Sequence, residues 1–178
     1  HDPDTPVYGP DNAKVAVIEF FDYQCVFCSR FAPELEKVMK AQPDVRYLFK
    51  EWPIFGGRWE ASLQAAQQGL TVWQKKGPQA YVTYHNAIYA TGHNEGKLTA
   101  EDIHGAASKA GLTTPAPGDH TASLEKNSNL AEALGLTGTP GIIVMPVSGE
   151  TPDTITVFPE AVTAERLQAA IRKATKVK

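Results

Sequence analysis

The chain has 178 residues, of which 42% are hydrophobic and 21% charged, with a formal net charge of −3 at pH 7. This composition predicts one compact globular unit with its own core, and the absence of a long basic run gives no reason to expect nucleic acid as a partner. No apolar run approaches the ~18 residues that a membrane-spanning helix needs.

The first 14 residues, "HDPDTPVYGPDNAK", are polar and rich in proline. Such a segment is typical of a mature N-terminus from which a signal peptide has been removed, so the compartment must be argued from the chemistry of the chain.

The next segment predicts a strand that leads directly into a helix. Residues 15–23, "VAVIEFFDY", form a nearly continuous apolar run, as in a strand buried on both faces. Cys25 and Cys28 follow, and "SRFAPELEKVMK" (29–40) has apolar residues at helical spacing with Pro33 inside. The cysteines therefore lie where a central strand turns into a helix.

The remaining elements follow the order strand, block of helices, two strands, helix. A second strand is predicted at 44–52, and the pattern is helical from about Arg58 to Leu136. Thr99 and Asp102 predict a capping box at the start of one of these helices. The segments of the helical block are 60–76, 78–90, 99–112 and 121–136, followed by strands at 141–146 and 153–158 and a helix at 163–176.

Cys25 and Cys28, the only cysteines, permit three interpretations. Structural zinc normally needs four ligands, and the five histidines (His1, His85, His93, His104 and His120) offer no second ligand pair. A static disulfide three residues long would stabilise little, whereas the same spacing at a helix start favours redox exchange. We expect Cys25 to be the exposed first helical residue, a thiolate stabilised by the helix N-terminus, and Cys28 to be shielded and to resolve mixed disulfides. This chemistry needs no metal or organic cofactor.

Two further features accompany the cysteine pair. Glu19 lies in the middle of an apolar strand, where a charge is costly. It is either a buried carboxylate that relays the proton of Cys28, or an edge residue or ion-pair partner of Lys50 on the next strand. In "LTGTPGIIV", Pro140 opens a buried strand, a context that favours a cis bond after Thr139.

Together these residues resemble the thioredoxin superfamily. The helical block before Pro140, which lies 115 positions after Cys25, makes the chain similar to the DsbA family over almost its whole length. The segment "FKEWPIFGG" resembles the Com1/ScsC-like branch. The resemblance implies an α/β, thioredoxin-like fold with an inserted helical domain: residues 1–55 and 137–178 form the thioredoxin-like domain, and 56–136 the insertion.

The resemblance also implies roles for individual residues. Cys25 is then the attacking cysteine, Cys28 the resolving one and Glu19 the buried acid. The substrate-binding residues are Val26, Phe27, Thr139 and cis-Pro140. The chain departs from the family pattern at two positions that bear on the direction of disulfide exchange. The Val26-Phe27 dipeptide lacks the histidine of the best-known oxidase, and Thr139 before the proline is similar to the residue in disulfide isomerases. The residues before Val15 leave no room for the oligomerising stalk of isomerase relatives, which argues against isomerase function.

The expected activity is thiol-disulfide exchange with unfolded or partly folded cysteine-containing proteins in the bacterial periplasm or another extracytoplasmic compartment. The resemblance adds a membrane redox partner of the DsbB or DsbD type. Both cysteines belong to the motif, which fits an oxidising compartment. Three alternatives stay open: an isomerase or reductase, a holdase that binds unfolded chains, and a maturation factor dedicated to one metal-binding or copper-resistance protein.

Overall fold

The computed structural model of the protein describes residues 2–113 and 118–176. Within these residues the chain forms one mixed sheet with helices packed on both faces. The elements in chain order are β1 (Val7–Tyr8), β2 (Val15–Phe21), α1 (Val26–Ala41), β3 (Arg46–Glu51), α2 (Glu60–Lys76), α3 (Pro78–Ala90), α4 (Ala100–Lys109), α5 (Thr121–Ala133), β4 (Gly141–Pro146), β5 (Thr156–Phe158) and α6 (Ala164–Thr175).

The strands pair in the order β1-β3-β2-β4-β5, so β2 is the central strand. β2 is parallel to β3, and α1 supplies the crossover that a parallel pair requires. β4 is antiparallel to β2 and places Gly141 opposite Phe20. This register brings the chain just before β4 beside the chain just after β2, so Pro140 and the cysteine motif share one end of the sheet.

The largest buried apolar cluster joins the sheet to the helices on one face. It includes Phe21 of β2, Leu35 of α1 and Leu167 of α6, together with Tyr84 and Ile88 of α3. A smaller cluster on the opposite face contains Phe20, Trp52, Ala131, Leu136 and Ile143. The helices between β3 and β4 thus pack onto the same core as the sheet. Among the described helices, none is long and apolar enough to cross a bilayer.

The predicted α/β order is confirmed, and the differences concern element ends. The strand expected at 15–23 ends at Phe21 because Asp22 starts a turn, in which its carboxylate accepts the N–H of Gln24 at 2.8 Å. Only the last three residues of the segment 153–158 form a strand. β1 has two residues, too few to show a periodic pattern, and was not predicted.

The helical block follows the predicted segments closely. The capping box of α4 is confirmed: Asp102 N–H donates to the Thr99 hydroxyl at 3.1 Å, and Thr99 N–H donates to the Asp102 carboxylate at 3.0 Å. The division into domains 1–55 with 137–178 and 56–136 stays a prediction. Residues 1, 114–117 and 177–178, which those domains include, lie outside the described residues.

Candidate active site

The turn between β2 and α1 positions the two cysteines. Cys25 is the N-cap of α1, with extended backbone, and its N–H donates to the carbonyl of Asp22 at 3.0 Å. Cys28 lies one turn further along the helix and is fully buried. Both are free thiols. The sequence prediction of an exposed Cys25 at the first helical position was wrong: Val26 is the first helical residue, and Cys25 is only 3% exposed.

The loop before β4 contacts Cys25. The Thr139–Pro140 peptide bond is cis, as the sequence predicted. The Cys25 thiol donates to the backbone carbonyl of Thr139, with 3.4 Å between sulfur and oxygen. The Thr139 hydroxyl is buried and has no hydrogen-bond partner in this dithiol form. Its proton is therefore available to a thiolate on Cys25.

The two thiols have opposite acidities. The hydrogen bond from Cys28 lowers the pKa of Cys25 from 9.0 to about 6 against the effect of burial, and the Thr139 hydroxyl and the N–H groups of Cys28 and Phe27 lower it further. Burial raises the pKa of Cys28 well above its usual range, and its hydrogen bond to Cys25 and the charge of Glu19 add to the increase. At neutral pH, Cys25 is thus the thiolate and Cys28 the thiol that donates to it.

Glu19 lies beneath the cysteine pair on the central strand. The sheet register places it between Phe49 and Ile142, and it is 2% exposed. The alternative ion pair with Lys50 was wrong. Lys50 pairs with Phe20, so its side chain lies on the other face of the sheet, where its ammonium donates to the Thr5 hydroxyl at 2.7 Å.

Burial raises the pKa of Glu19 well above its usual range, and the negative charges of Glu51 and Cys25 raise it further. Burial therefore favours the neutral, protonated form of the Glu19 carboxyl relative to that of an exposed glutamate. Its Oε1 has no hydrogen-bond partner, and the negative charge of the ionised carboxyl contributes to the raised pKa of Cys28. A protonated buried acid of this kind can donate a proton when the disulfide opens.

Two buried polar residues beside Glu19 were missed by the sequence analysis. Glu51 accepts hydrogen bonds from the hydroxyls of Tyr23 at 2.8 Å and Tyr81 at 2.6 Å, and burial raises its pKa to about 8. His85 Nε2 is 3.9 Å from Glu19 Oε1, and burial lowers the pKa of His85 to about 4. The buried positions of α3 (Tyr81, Tyr84, His85 and Ile88) have helical spacing, so the sequence did contain the signal that places His85 inside.

The residues between the cysteines face outward. Val26 is half-buried, and Phe27 is 53% exposed with the Arg30 guanidinium 5.6 Å from its ring centroid. The structure thus brings Cys25, Cys28 and Thr139 together, with Glu19 beneath them and the Phe27 ring at the surface. Within residues 2–113 and 118–176, no group of three or more His, Cys, Asp or Glu side chains could hold a metal ion.

A C-x-x-C pair at the start of a helix that follows a central strand, facing a cis-proline loop, defines a protein with a thioredoxin-like fold and site. The chain belongs to the thioredoxin family, whose sequence profile matches residues 1–173. This membership confirms the predicted fold class.

Solved structures support the same assignment. BcfH of Salmonella enterica Typhimurium is 41% identical, with a TM-score of 0.83 over 96% of this chain and 74% of that chain. The catalytic domain of Proteus mirabilis ScsC is 28% identical, with a TM-score of 0.82 over 99% of this chain and 92% of that one. A periplasmic thioredoxin-like protein from Salmonella enterica serovar Typhimurium is also 28% identical, with a TM-score of 0.81 over 99% of this chain and 93% of that one. The likeness to ScsC agrees with the predicted branch.

Among curated proteins, the chain is similar to "Disulfide bond formation protein D" of Bacillus subtilis (strain 168). The two are 33% identical over 88 residues, which are 47% of this chain and 38% of that protein. The chain thus spans less than half the length of the curated relatives that it matches.

Proposed function

We propose that this chain exchanges disulfides with secreted or periplasmic protein substrates through Cys25 and Cys28. The observation that carries the proposal is the opposite shift of the two thiol pKa values, to about 6 for Cys25 and upward for Cys28. A thiolate of low pKa is both a populated nucleophile and a good leaving group, while a buried thiol one turn away resolves mixed disulfides. A structural disulfide would need neither property.

The proposed oxidation of a substrate takes two steps. A substrate thiolate attacks Cys25 Sγ, the Cys25–Cys28 bond breaks, and its electron pair leaves on the Cys28 sulfur, which takes up a proton. A second substrate thiolate then attacks the substrate sulfur of the mixed disulfide, and Cys25 leaves as a thiolate. The substrate loses two electrons and the enzyme dithiol gains them. Reduction of a substrate is the same sequence in reverse.

We assign Glu19 as the group that exchanges a proton with Cys28. Opening of the disulfide places a negative charge on a fully buried sulfur, which is costly without a proton donor. The raised pKa of Glu19 favours its protonated form, which can supply that proton. In the reverse direction, the Glu19 carboxylate accepts the proton that Cys28 must lose before it attacks.

The remaining predicted site residues bind substrate in this proposal. The exposed Phe27 ring gives an apolar contact beside Cys25, with Val26 next to it. Thr139 and Pro140 line the other side, and the Thr139 carbonyl, which accepts from the Cys25 thiol here, pairs with substrate backbone when Cys25 is in a mixed disulfide. The partners are unfolded or partly folded cysteine-containing proteins, together with a membrane redox partner of the DsbB or DsbD type.

We place this activity in the bacterial periplasm or another extracytoplasmic compartment. A periplasmic relative of the same fold supports this location, as does the use of both cysteines in the motif.

Insulin reduction with dithiothreitol tests the proposal. The wild-type chain should accelerate precipitation of the insulin B chain, and Cys25→Ala should abolish the acceleration. The control Val157→Ala changes an exposed side chain on β5 and should leave it intact. Equal rates for wild type and Cys25→Ala would contradict the proposal and favour a holdase, and recovery of activity from scrambled ribonuclease would identify isomerisation as a further direction.

A further inference from the structure

The loop between α3 and α4 holds the residues around the nucleophile. Gln24, which is fully buried, accepts hydrogen bonds on its side-chain oxygen from the N–H of Gly96 at 2.8 Å and of Leu98 at 3.3 Å. Its backbone carbonyl accepts from the N–H of Glu95 at 2.9 Å. These three bonds fix the loop against the chain immediately before Cys25, although Gly96 follows Gln24 by 72 positions.

Glu95 is the member of this loop that reaches the helix itself. Its Oε1 accepts a hydrogen bond from the N–H of Val26 at 3.0 Å. Val26 follows Cys25 directly and is the first residue of α1. The carboxylate of an exposed residue thus occupies the first free N–H of the helix whose N-terminus carries the nucleophile.

The backbone of Glu95 supports this placement. Its φ of 54° is the only positive φ of a non-glycine residue in the part of the chain that the structure describes. The left-handed conformation is unfavourable for a residue with a Cβ and is uncommon for glutamate. The loop holds this conformation, and the side chain is directed to the helix start.

The charges near Cys25 are therefore unevenly distributed. Arg30 lies over the Phe27 ring on the helix side, whereas Glu95 brings a negative charge to the loop side. Glu95 makes no ion pair with any described residue within 4 Å, while Asp102 in the same region is occupied by His93 at 2.8 Å and by the α4 cap. The charge of Glu95 also acts on Asp22, which precedes the cysteine motif: burial is the main cause that raises the pKa of Asp22, and Glu95 adds to the increase.

We propose that Glu95 is a specificity-determining residue: it favours disulfide partners that carry a positive charge beside the reacting sulfur and disfavours those that carry a negative charge. This inference rests on the proposed function, because it concerns molecules that react at Cys25. Protein substrates with lysine or arginine next to the reacting cysteine are the chemical class that the site selects.

Two small disulfides of opposite charge test this inference with the reduced protein. Cystamine has two ammonium groups and 3,3′-dithiodipropionate has two carboxylates. In each reaction the Cys25 thiolate attacks one probe sulfur and releases one probe thiolate. Cys28, after losing its proton, then attacks Cys25 Sγ and releases the second, so the probe gains two electrons and the Cys25–Cys28 disulfide forms. Acid quenching followed by mass spectrometry gives both second-order rate constants.

The rate ratio of cystamine to dithiodipropionate is the quantity to compare. Removing the unit charge that Glu95 holds at the Val26 N–H, one residue after Cys25, should lower this ratio about fivefold in Glu95→Gln at low ionic strength, and the difference should shrink in 0.5 M NaCl. Glu95→Asn is a second neutral variant that tolerates the left-handed backbone, and it should behave in the same way. The control Glu150→Gln makes the same change of net charge in the exposed turn after β4, at the opposite end of that strand from Pro140, and should leave the ratio unchanged.

The outcomes separate this inference from the proposed function. A wild-type rate no faster than that of free cysteine with either probe would overturn both. Fast reaction with a ratio that is equal in wild type and both Glu95 variants would overturn the role of Glu95 alone. A lower ratio in Glu150→Gln equal to that in Glu95→Gln would show an effect of net charge and would also overturn it.

Discussion

Replacement of Thr139 by valine probes the contact between the proline loop and the nucleophile. Valine has nearly the shape of threonine but no hydroxyl, so the variant removes one potential donor to the Cys25 thiolate. The Thr139 hydroxyl contributes to the low pKa of Cys25, yet it is buried without a partner in the dithiol form. Thr139→Val should therefore destabilise the form with a Cys25 thiolate and stabilise the forms without one.

The magnitude follows from one hydrogen bond. The loss of one weak donor, ~1 kcal/mol, raises the pKa of Cys25 by about 0.7 units and makes the reduction potential about 20 mV more negative, because the reduced form is the one that loses stability. The oxidised form has no thiolate and loses only an unpartnered buried hydroxyl. Its melting temperature should therefore be equal to or above that of wild type.

Equilibration with glutathione, followed by separation of the reduced and oxidised forms, measures the potential. Thr154→Val is a matched control in the turn before β5, where the hydroxyl bonds only within residues 151–154. It should not shift the potential. An unchanged potential for Thr139→Val, or a shift toward a more oxidising value, would refute the conclusion that this hydroxyl stabilises the thiolate.

Three further predictions concern the buried groups. Glu19→Gln should slow resolution of a trapped mixed disulfide and leave the melting temperature at or above that of wild type. Because a carboxyl with a raised pKa costs the folded state stability as pH rises, the increase in melting temperature should be larger at pH 8 than at pH 5. A large loss of stability with unchanged rates would contradict the proton-transfer role. Cys25 has a depressed pKa, so its thiolate stabilises the reduced protein at pH 7, by on the order of 1 kcal/mol, and hardly at all at pH 5. The difference in urea unfolding between reduced wild type and Cys25→Ser should therefore be larger at pH 7 than at pH 5. A constant difference across that range would exclude the thiolate. Gly69→Ala should lower the thermal stability of the fold because the new Cβ would lie 2.6 Å from Glu51 Oε2. Gly105→Ala, whose Cβ would have nothing within 4 Å, should instead stabilise α4 by about 0.5–1 kcal/mol. Equal effects of the two substitutions would contradict the close packing of Gly69 against Glu51.

Four of the site residues that the sequence predicted, namely Cys25, Cys28, Glu19 and Pro140, carry a local signal, whereas Val26, Phe27 and Thr139 were predicted from the family resemblance. The cysteine pair stands out by its spacing, Glu19 by its charge in an apolar strand, and Pro140 by its position at the start of a buried strand. Each signal lies within a few residues of the chain, and those of Glu19 and Pro140 reflect a cost that folding must offset, a buried charge and a missing N–H.

What the sequence could not show depends on contacts between distant segments. The contact of Cys25 with the Thr139 carbonyl joins residues 114 positions apart, and the hydrogen bond that the Val26 N–H donates to Glu95 joins residues 69 positions apart. No local pattern encodes which loop covers a given helix end. The exclusion of the Lys50 ion pair likewise required the strand register, because a shift of one residue moves a side chain to the other face of the sheet.

The central claim is that Cys25 is an activated thiolate in the resting reduced protein. Absorbance at 240 nm, measured from pH 3 to pH 10 for the reduced chain and for the oxidised chain as a blank, reports the fraction of thiolate directly. We expect a transition with a midpoint at about 6 that is lost in Cys25→Ser. A single transition at or above ~8.5, the value of an ordinary cysteine, would contradict it.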